Sequence, residues 1–248
     1  MTIHIDTDDQ ILPFYMMFIL SAILAGMGVI FRLCSKRGIA LKKSLLLSTM
    51  IFPMSIVCAL LFTFITSGGK HLGIASTGAA AGAYAAVFMA SLIDHRPGDL
   101  RVMLQNCTFA LPLMYGTAKI GCFTAGCCHG ISYNGFLSVK YSGSHTGDIN
   151  VFPVQLVEAA VFLSIFIAGI IMLKKHDINS VRKVIILSAA AKFSLEFLRE
   201  SHLHRIISIE QAVCLLVMAL CIINMKMAAG LPDKQKKYDI WRKKWIEK

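Results

Sequence analysis

The sequence predicts an all-α integral membrane protein of seven transmembrane helices, with its N-terminus outside and its C-terminus cytoplasmic. Three observations carry this. Apolar residues make up 56% of the 248 positions and charged residues only 16%, with a mean hydropathy of +0.66, well beyond an ordinary soluble domain. Seven apolar runs are long enough for membrane helices, since a helix rising about 1.5 Å per residue needs roughly 20 residues to cross about 30 Å of hydrocarbon. Lysine and arginine also alternate between dense and sparse connections, as they do in chains whose cytoplasmic loops are basic.

In chain order, runs 11–31, 44–66 and 71–93 contain no Asp, Glu, Lys or Arg. Run 103–128 is interrupted by Lys119, run 151–173 by Glu158 and run 206–225 by Glu210, yet each stays apolar enough to span. Run 183–200 carries Lys192, Glu196, Arg199 and Glu200, so it crosses only if protein shields it from lipid. Residues 1–10 hold three aspartates and no basic residue, so the first run reads as a retained span rather than a cleaved leader. The short connections leave no room for a soluble domain, and residues 1–230 are expected to form one membrane domain. The tail 231–248 is basic, with Tyr238, Trp241 and Trp245 near one helical face. It reads as an amphipathic segment on the anionic cytoplasmic leaflet, a solvated tail being the alternative.

The formal charge of +11 follows sidedness and does not call for nucleic acid. One set of segments carries Arg32, Lys36, Arg37, Lys42, Lys43, Arg96, Arg101, Lys174, Lys175, Arg182, Lys183 and the basic tail; the opposite set carries only Lys70, Lys140 and Arg205. Lys119, Lys192 and Arg199 remain, all inside spans. An ionisable group in hydrocarbon costs several kcal/mol unless it is paired, hydrated or bound to a ligand, so each is a candidate functional residue. The structural alternative is pairing along one helix, Lys192 with Glu196 or Glu196 with Arg199, or snorkelling of Arg199 to the interface.

With this topology Lys119 and Lys192 both lie about 12–13 Å below the outer surface. Tyr15, Ser76, Thr77, Gln155, Glu158, Glu210 and Gln211 fall in the outer halves of their spans, whereas the inner halves are nearly pure Leu, Ile, Val, Met, Phe and Ala. The asymmetry predicts a polar cavity opening outward, suited to an anionic amphiphile whose phosphate is drawn below the surface. GAAAGAYAA, residues 78–86, allows close approach of a neighbouring helix or of a lipid.

The stretch AKIGCFTAGCCHG, residues 118–130, resembles the signature of the bacterial prolipoprotein diacylglyceryl transferases, Gly-Arg-x-Gly-Asn-Phe-x-Asn-x-Glu-x-x-Gly, with Gly121, Phe123 and Gly130 in frame. FYMMF, FPVQLVE, KFSLEFLRE and SIEQ follow in the family's order. The resemblance implies a seven-span enzyme that moves the diacylglyceryl group of phosphatidylglycerol to a lipobox cysteine at the outer face of the bacterial inner membrane. Its partners would be an anionic phospholipid and a lipobox-containing precursor, without a cofactor. Carried over position by position, Tyr15 matches the first-span tyrosine, Pro153, Gln155 and Glu158 the Pro-x-Gln-Leu-x-Glu segment, and Glu196 and Arg199 the sixth-helix Glu-Phe-x-Arg. The chain departs from the pattern where Lys119 and Lys192 stand at arginines, Cys122 at an asparagine, Cys127 at a glutamate and Thr77 at a histidine. The charges survive without the bidentate fork of arginine.

Transfer of this kind needs a thiol to lose its proton and attack a glycerol carbon while a phosphate ester leaves, with cations stabilising the departing group. Lys119 and Lys192 are the expected clamp, with Arg199 at the mouth. His129 is the expected base, with Glu196 as the alternative. Tyr15, Thr77, Gly121, Cys122, Gln155 and Glu158 complete the expected binding site. Cys127 and Cys128 face the oxidising side, where they could be disulfide-bonded, with each other or with Cys122, or act as nucleophiles. A zinc site from Cys122, Cys127, Cys128 and His129 is not expected, because C-x4-C-C-H is not a usual structural spacing. Cys34, Cys58, Cys107, Cys214 and Cys221 read as core filling. The competing functions are an outer-face thiol redox protein built on Cys122, Cys127 and Cys128, and a non-catalytic protein that binds anionic lipid.

Overall fold

The computed structural model describes residues 3–6, 11–70, 72–93, 98–142, 149–175, 177, 179–200 and 206–229. The amphipathic tail expected at 231–248 lies outside them. Each of the seven expected runs forms a helix: α1 Ile11–Lys36, α2 Leu41–Thr66, α3 Ser76–Ile93, α4 Asp99–Thr124, α5 Val154–Lys174, α6 Ser180–Glu196 and α7 Ile209–Ala229. By length and apolarity, Pro13–Lys36, Leu41–Thr66 and Val154–Lys174 suffice to cross a membrane, and Ser76–Leu92 and Ile209–Asn224 are shorter apolar helices. The outward faces carry Leu20, Leu24, Leu61, Ile65, Ile167 and Leu216, all exposed, while Lys119, Glu158 and Lys192 are buried. Apolar residues outside and charges inside is the inverse of a soluble protein and marks the chain as a membrane protein.

The all-helical class holds, with one small addition: Ile3–Asp6 (β1), Val139–Ser142 (β2) and Ile149–Val151 (β3) form a sheet in the order β1-β2-β3, parallel between the first two and antiparallel between the last two. It sits over the C-terminal end of α4, where buried Val139, Tyr141 and Val151 pack with Ile5, Phe123 and Ile149, and the Tyr141 hydroxyl donates to the Phe123 carbonyl oxygen at 2.8 Å. Several boundaries also move. The third run begins as a helix only at Ser76, and the helix of run 103–128 stops at Thr124, leaving the cysteine-rich stretch in a loop.

Helix α4 is central, packing against α1, α3, α5 and α6. Its far end is pinned by a buried ion pair, Lys43 Nζ to Asp99 Oδ2 at 2.8 Å, which ties the start of α2 to the start of α4. Ile30, Leu47, Ile51, Val87 and Met103 fill the space between α1, α2, α3 and α4. The small-residue stretch of α3 serves helix packing: a Cβ on Gly78 would lie 2.6 Å from the Cys58 carbonyl oxygen, and one on Gly82 would collide with the backbone at Met54. A backbone obstacle cannot rotate away. Gly82→Leu is therefore expected to destabilise the protein by at least the 1–3 kcal/mol typical of overpacking, read as a lower thermal midpoint in detergent.

Candidate active site

Five helices deliver polar side chains to one end of the bundle. Lys119 lies near the C-terminal end of α4, four residues after Tyr115 and therefore on the same face. Glu158 and Gln155 occupy the first turns of α5, which starts directly after Pro153. Glu210 sits in the first turn of α7 and Thr77 in that of α3, positions where the positive end of the helix dipole favours an acceptor. From α6 come Lys192 and Glu196, with Arg199 just beyond the helix end.

These groups close on one another. Glu158 is the hub: its Oε2 lies 2.9 Å from Lys119 Nζ, and its Oε1 accepts from the Tyr115 hydroxyl and from Arg199 Nη2, each at 2.8 Å. Arg199 Nη1 reaches Glu196 Oε2 at 3.6 Å. Lys192 Nζ lies 2.6 Å from Glu210 Oε2, and Thr77 donates to Glu210 Oε1 at 3.4 Å. Both ammonium groups lie over the Tyr115 ring, Lys119 Nζ 5.2 Å and Lys192 Nζ 5.6 Å from its centroid. Phe162 packs on that ring, centroids 4.2 Å apart.

The polar groups expected to line a cavity pair with one another, Lys119, Lys192 and Arg199 against Glu158, Glu196 and Glu210. Lys192 pairs across helices with Glu210, not with Glu196 one turn away. Bonding capacity is left over, because among the described residues buried Glu196 Oε2, Arg199 Nε and Gln155 Oε1 find no hydrogen-bond partner and the Lys192–Glu210 pair is close without hydrogen-bond angles. Such incompletely used polar groups are costly in a fold and mark sites that take a ligand. An apolar groove of about 400 Å³ lined by Ala160, Val161, Ser164, Ile165, Ala168 and Leu187 lies on α5 and α6, away from the ion pairs.

Beside the ion pairs, residues 125–130 turn sharply, with Gly126 at φ 65° and Cys128 at φ 57°. The turn gathers the sulfurs of Cys122, Cys127 and Cys128 within 4.8 Å of one another. Hydrogen bonds from Cys122 and Cys127 hold the Cys128 thiol well below the usual thiol range, and Lys119 and Arg199 add to that pull. The Gln155 amide donates to the Cys127 carbonyl oxygen at 2.9 Å and so ties the turn to α5. Gly130 threads between two strands of backbone, where a Cβ would meet the Phe152 carbonyl oxygen at 2.6 Å and that of Leu198 at 2.9 Å. Gly121 does the same for helix packing: a Cβ there would lie 2.9 Å from Phe18 Cβ and 3.3 Å from the Tyr15 carbonyl oxygen, so its absence lets α1 bring Tyr15 alongside. His129 stands apart from the sulfurs, with Nδ1 3.2 Å from the Gly130 carbonyl oxygen and 3.5 Å from Glu200 Oε2.

Over residues 3–227 the chain matches the family described as prolipoprotein diacylglyceryl transferase. The chain belongs to this family. No curated protein matches it closely. Membership of a transferase family favours group transfer over the thiol redox and passive lipid-binding alternatives. In this diacylglyceryl transferase family member the residues singled out from the sequence divide in two. Lys119, Glu158, Glu196 and Arg199 join one ion-pair group and Lys192 and Thr77 meet at Glu210 in a second, the two groups sharing the Tyr115 ring, while Cys122, Cys127 and Gln155 build the adjoining turn with Gly121 and Tyr15 packed beside it. Tyr115 was not among the expected site residues, although its i,i+4 spacing from Lys119 was the available signal. Glu210 had been placed only as an outer-half polar residue.

Proposed function

We propose that this chain moves the diacylglyceryl group of phosphatidylglycerol to a cysteine thiol of a prolipoprotein or related acceptor, in the bacterial inner membrane. In this reading the seven helices of residues 1–230 all span, the site faces outward and residues 231–248 lie on the cytoplasmic leaflet. The observation that carries it is the pair of ammonium groups that meet at the Tyr115 ring. They come from separate helices to one point among apolar walls, and they are held by carboxylates that an anionic headgroup can replace.

The chemistry follows from the charges. Phosphate entering between Lys119 and Lys192 takes over the contacts of Glu158 and Glu210, and Thr77 retains the displaced Glu210. Lysine serves here as a point charge, where arginine would grip the phosphate through two bonds. The acceptor sulfur, once deprotonated, forms a bond to the glycerol carbon; the carbon–oxygen bond breaks and the electron pair leaves with glycerol phosphate. Two cations beside the departing oxygen stabilise the charge that develops on it, in a region of low dielectric where the effect is large. Arg199, bound to Glu158 and Tyr115, assists at the mouth. His129, backed by the Glu200 carboxylate, is the base, with Glu196 as the second candidate. Tyr15, Gly121, Cys122 and Gln155 shape the lipid-facing wall, and exposed Cys127 stands where the acceptor thiol arrives.

The test is direct. Purified protein incubated with phosphatidylglycerol and a lipobox peptide should give a peptide heavier by one diacylglyceryl group, with glycerol phosphate released, both read by mass spectrometry. Intact peptide and intact lipid after exhaustive incubation would refute the reading.

A further inference from the structure

The three sulfurs have no part in the phosphate clamp, yet their arrangement is specific. Cys122 comes from the last turn of α4, while Cys127 and Cys128 come from the turn that follows it. Their Sγ atoms lie within 4.8 Å of one another. Tetrahedral zinc with bonds of about 2.3 Å places its thiolate sulfurs about 3.8 Å apart, so small side-chain rotations suffice to close all three on one ion. A disulfide would use only two of the three. Cys127 and Cys128 are exposed, which leaves the outward side of such a site open, and His129 is turned toward Gly130 and Glu200 and does not fill it. Lys119 and Arg199 lie next to the cluster and offset the negative charge that three thiolates bring.

We propose that Cys122, Cys127 and Cys128 form a three-thiolate site for zinc(II), whose open fourth position takes the cysteine thiol of the acceptor. This rests on the transferase reading and deepens it. The reaction needs a thiolate as nucleophile, and a thiol that coordinates zinc is deprotonated outright. Three protein ligands with one open position is also the arrangement that zinc adopts where it does chemistry rather than holding a fold. The acceptor thiol gives its proton to solvent on coordination. Its sulfur then forms the bond to the glycerol carbon, and glycerol phosphate leaves with the electron pair of the broken carbon–oxygen bond. The thioether so formed is neutral and a weak ligand, so it leaves the metal and the fourth position reopens. A metal-held thiolate beside the clamp does the work that would otherwise fall to a general base.

The experiment uses the reduced, chelator-stripped full chain in detergent, titrated with cadmium(II) as a spectroscopic stand-in for zinc. Expected are one cadmium per chain, a thiolate-to-metal absorption band, and strengthening of that band on adding a lipobox peptide with cysteine but not its serine counterpart. Cys122→Ser, Cys127→Ser and Cys128→Ser should each weaken cadmium binding beyond the roughly 10–100-fold that loss of a merely supporting group costs, while Cys221→Ser leaves it unchanged. Because serine variants can fail to fold, wild-type protein is also alkylated with and without zinc(II), and zinc should protect Cys127 and Cys128, read by mass spectrometry. Absence of the band, the same band in the triple serine variant, or alkylation of Cys127 and Cys128 unchanged by zinc would overturn the site. Full-rate diacylglyceryl transfer by metal-free protein would overturn the role of the fourth position and leave the transferase reading standing, whereas failure of the transfer assay with bound cadmium still present would do the reverse.

Discussion

Replacing Lys119 with alanine is expected to lower kcat/KM for diacylglyceryl transfer by about 100–1,000-fold, the usual consequence of deleting one group that stabilises charge developing on an oxygen. The same is expected for Lys192→Ala, and the two should not add, because both act on one phosphate. Lys119→Arg restores the cation and should recover most of the rate. The measurement is the initial rate of peptide lipidation over a range of phosphatidylglycerol concentrations. A fall in kcat with little change in KM would place the lysine at the transition state; a rise in KM alone would make it a headgroup anchor. Rates within threefold of wild type for both alanine variants would remove the lysines from the reaction.

The second large effect is on stability. Glu158→Ala removes the carboxylate that Lys119, Arg199 and Tyr115 share, leaving two cations to face each other in a region that is almost dry: the side-chain exposures are 6% for Lys119 and 11% for Arg199. Breaking a buried pair by deleting one partner typically costs 3–5 kcal/mol, and here one deletion breaks two ion pairs and the Tyr115 hydrogen bond. The variant should therefore show a large drop in thermal midpoint in detergent, or fail to accumulate in the membrane. Glu158→Gln keeps the acceptor oxygen and the volume and should lose less stability than alanine. An anionic lipid analogue should restore part of the loss in Glu158→Ala, since its phosphate supplies the missing negative charge, whereas a zwitterionic lipid should not.

The helices were legible because hydrocarbon imposes a simple demand, a long run of apolar residues, and all seven such runs are helical. What failed is where that demand does not operate. Strands of three and four residues carry too few positions to show alternation, and residues 72–75 are apolar without being helical, so the small sheet and the true start of α3 were hidden. The cluster was half visible. Charges inside apolar spans drew attention to Lys119, Lys192, Glu196 and Arg199, but a sequence shows only neighbours along one helix. It suggested Lys192 with Glu196, whereas packing of α6 against α7 brings Glu210 to Lys192 instead. Tyr115 was missed because a tyrosine in an apolar run reads as packing. The pairing across helices has an electrostatic reason: three cations in low dielectric draw in the three carboxylates that the neighbouring helices bring to them. The cysteines carried the opposite problem, since C-x4-C-C-H is not a familiar ligand spacing and only the turn at Gly126 and Cys128 folds three of those residues together and turns the histidine away.

The central claim is that the two ammonium groups gathered at the Tyr115 ring hold the negative head of a lipid. It is tested most directly by counting lipids that stay with the purified protein under native mass spectrometry, using vesicles of phosphatidylglycerol mixed with phosphatidylcholine. Wild-type protein should retain phosphatidylglycerol selectively, and the Lys119→Ala, Lys192→Ala double variant should retain neither lipid in preference. Undiminished selectivity for phosphatidylglycerol in the folded double variant would contradict the account.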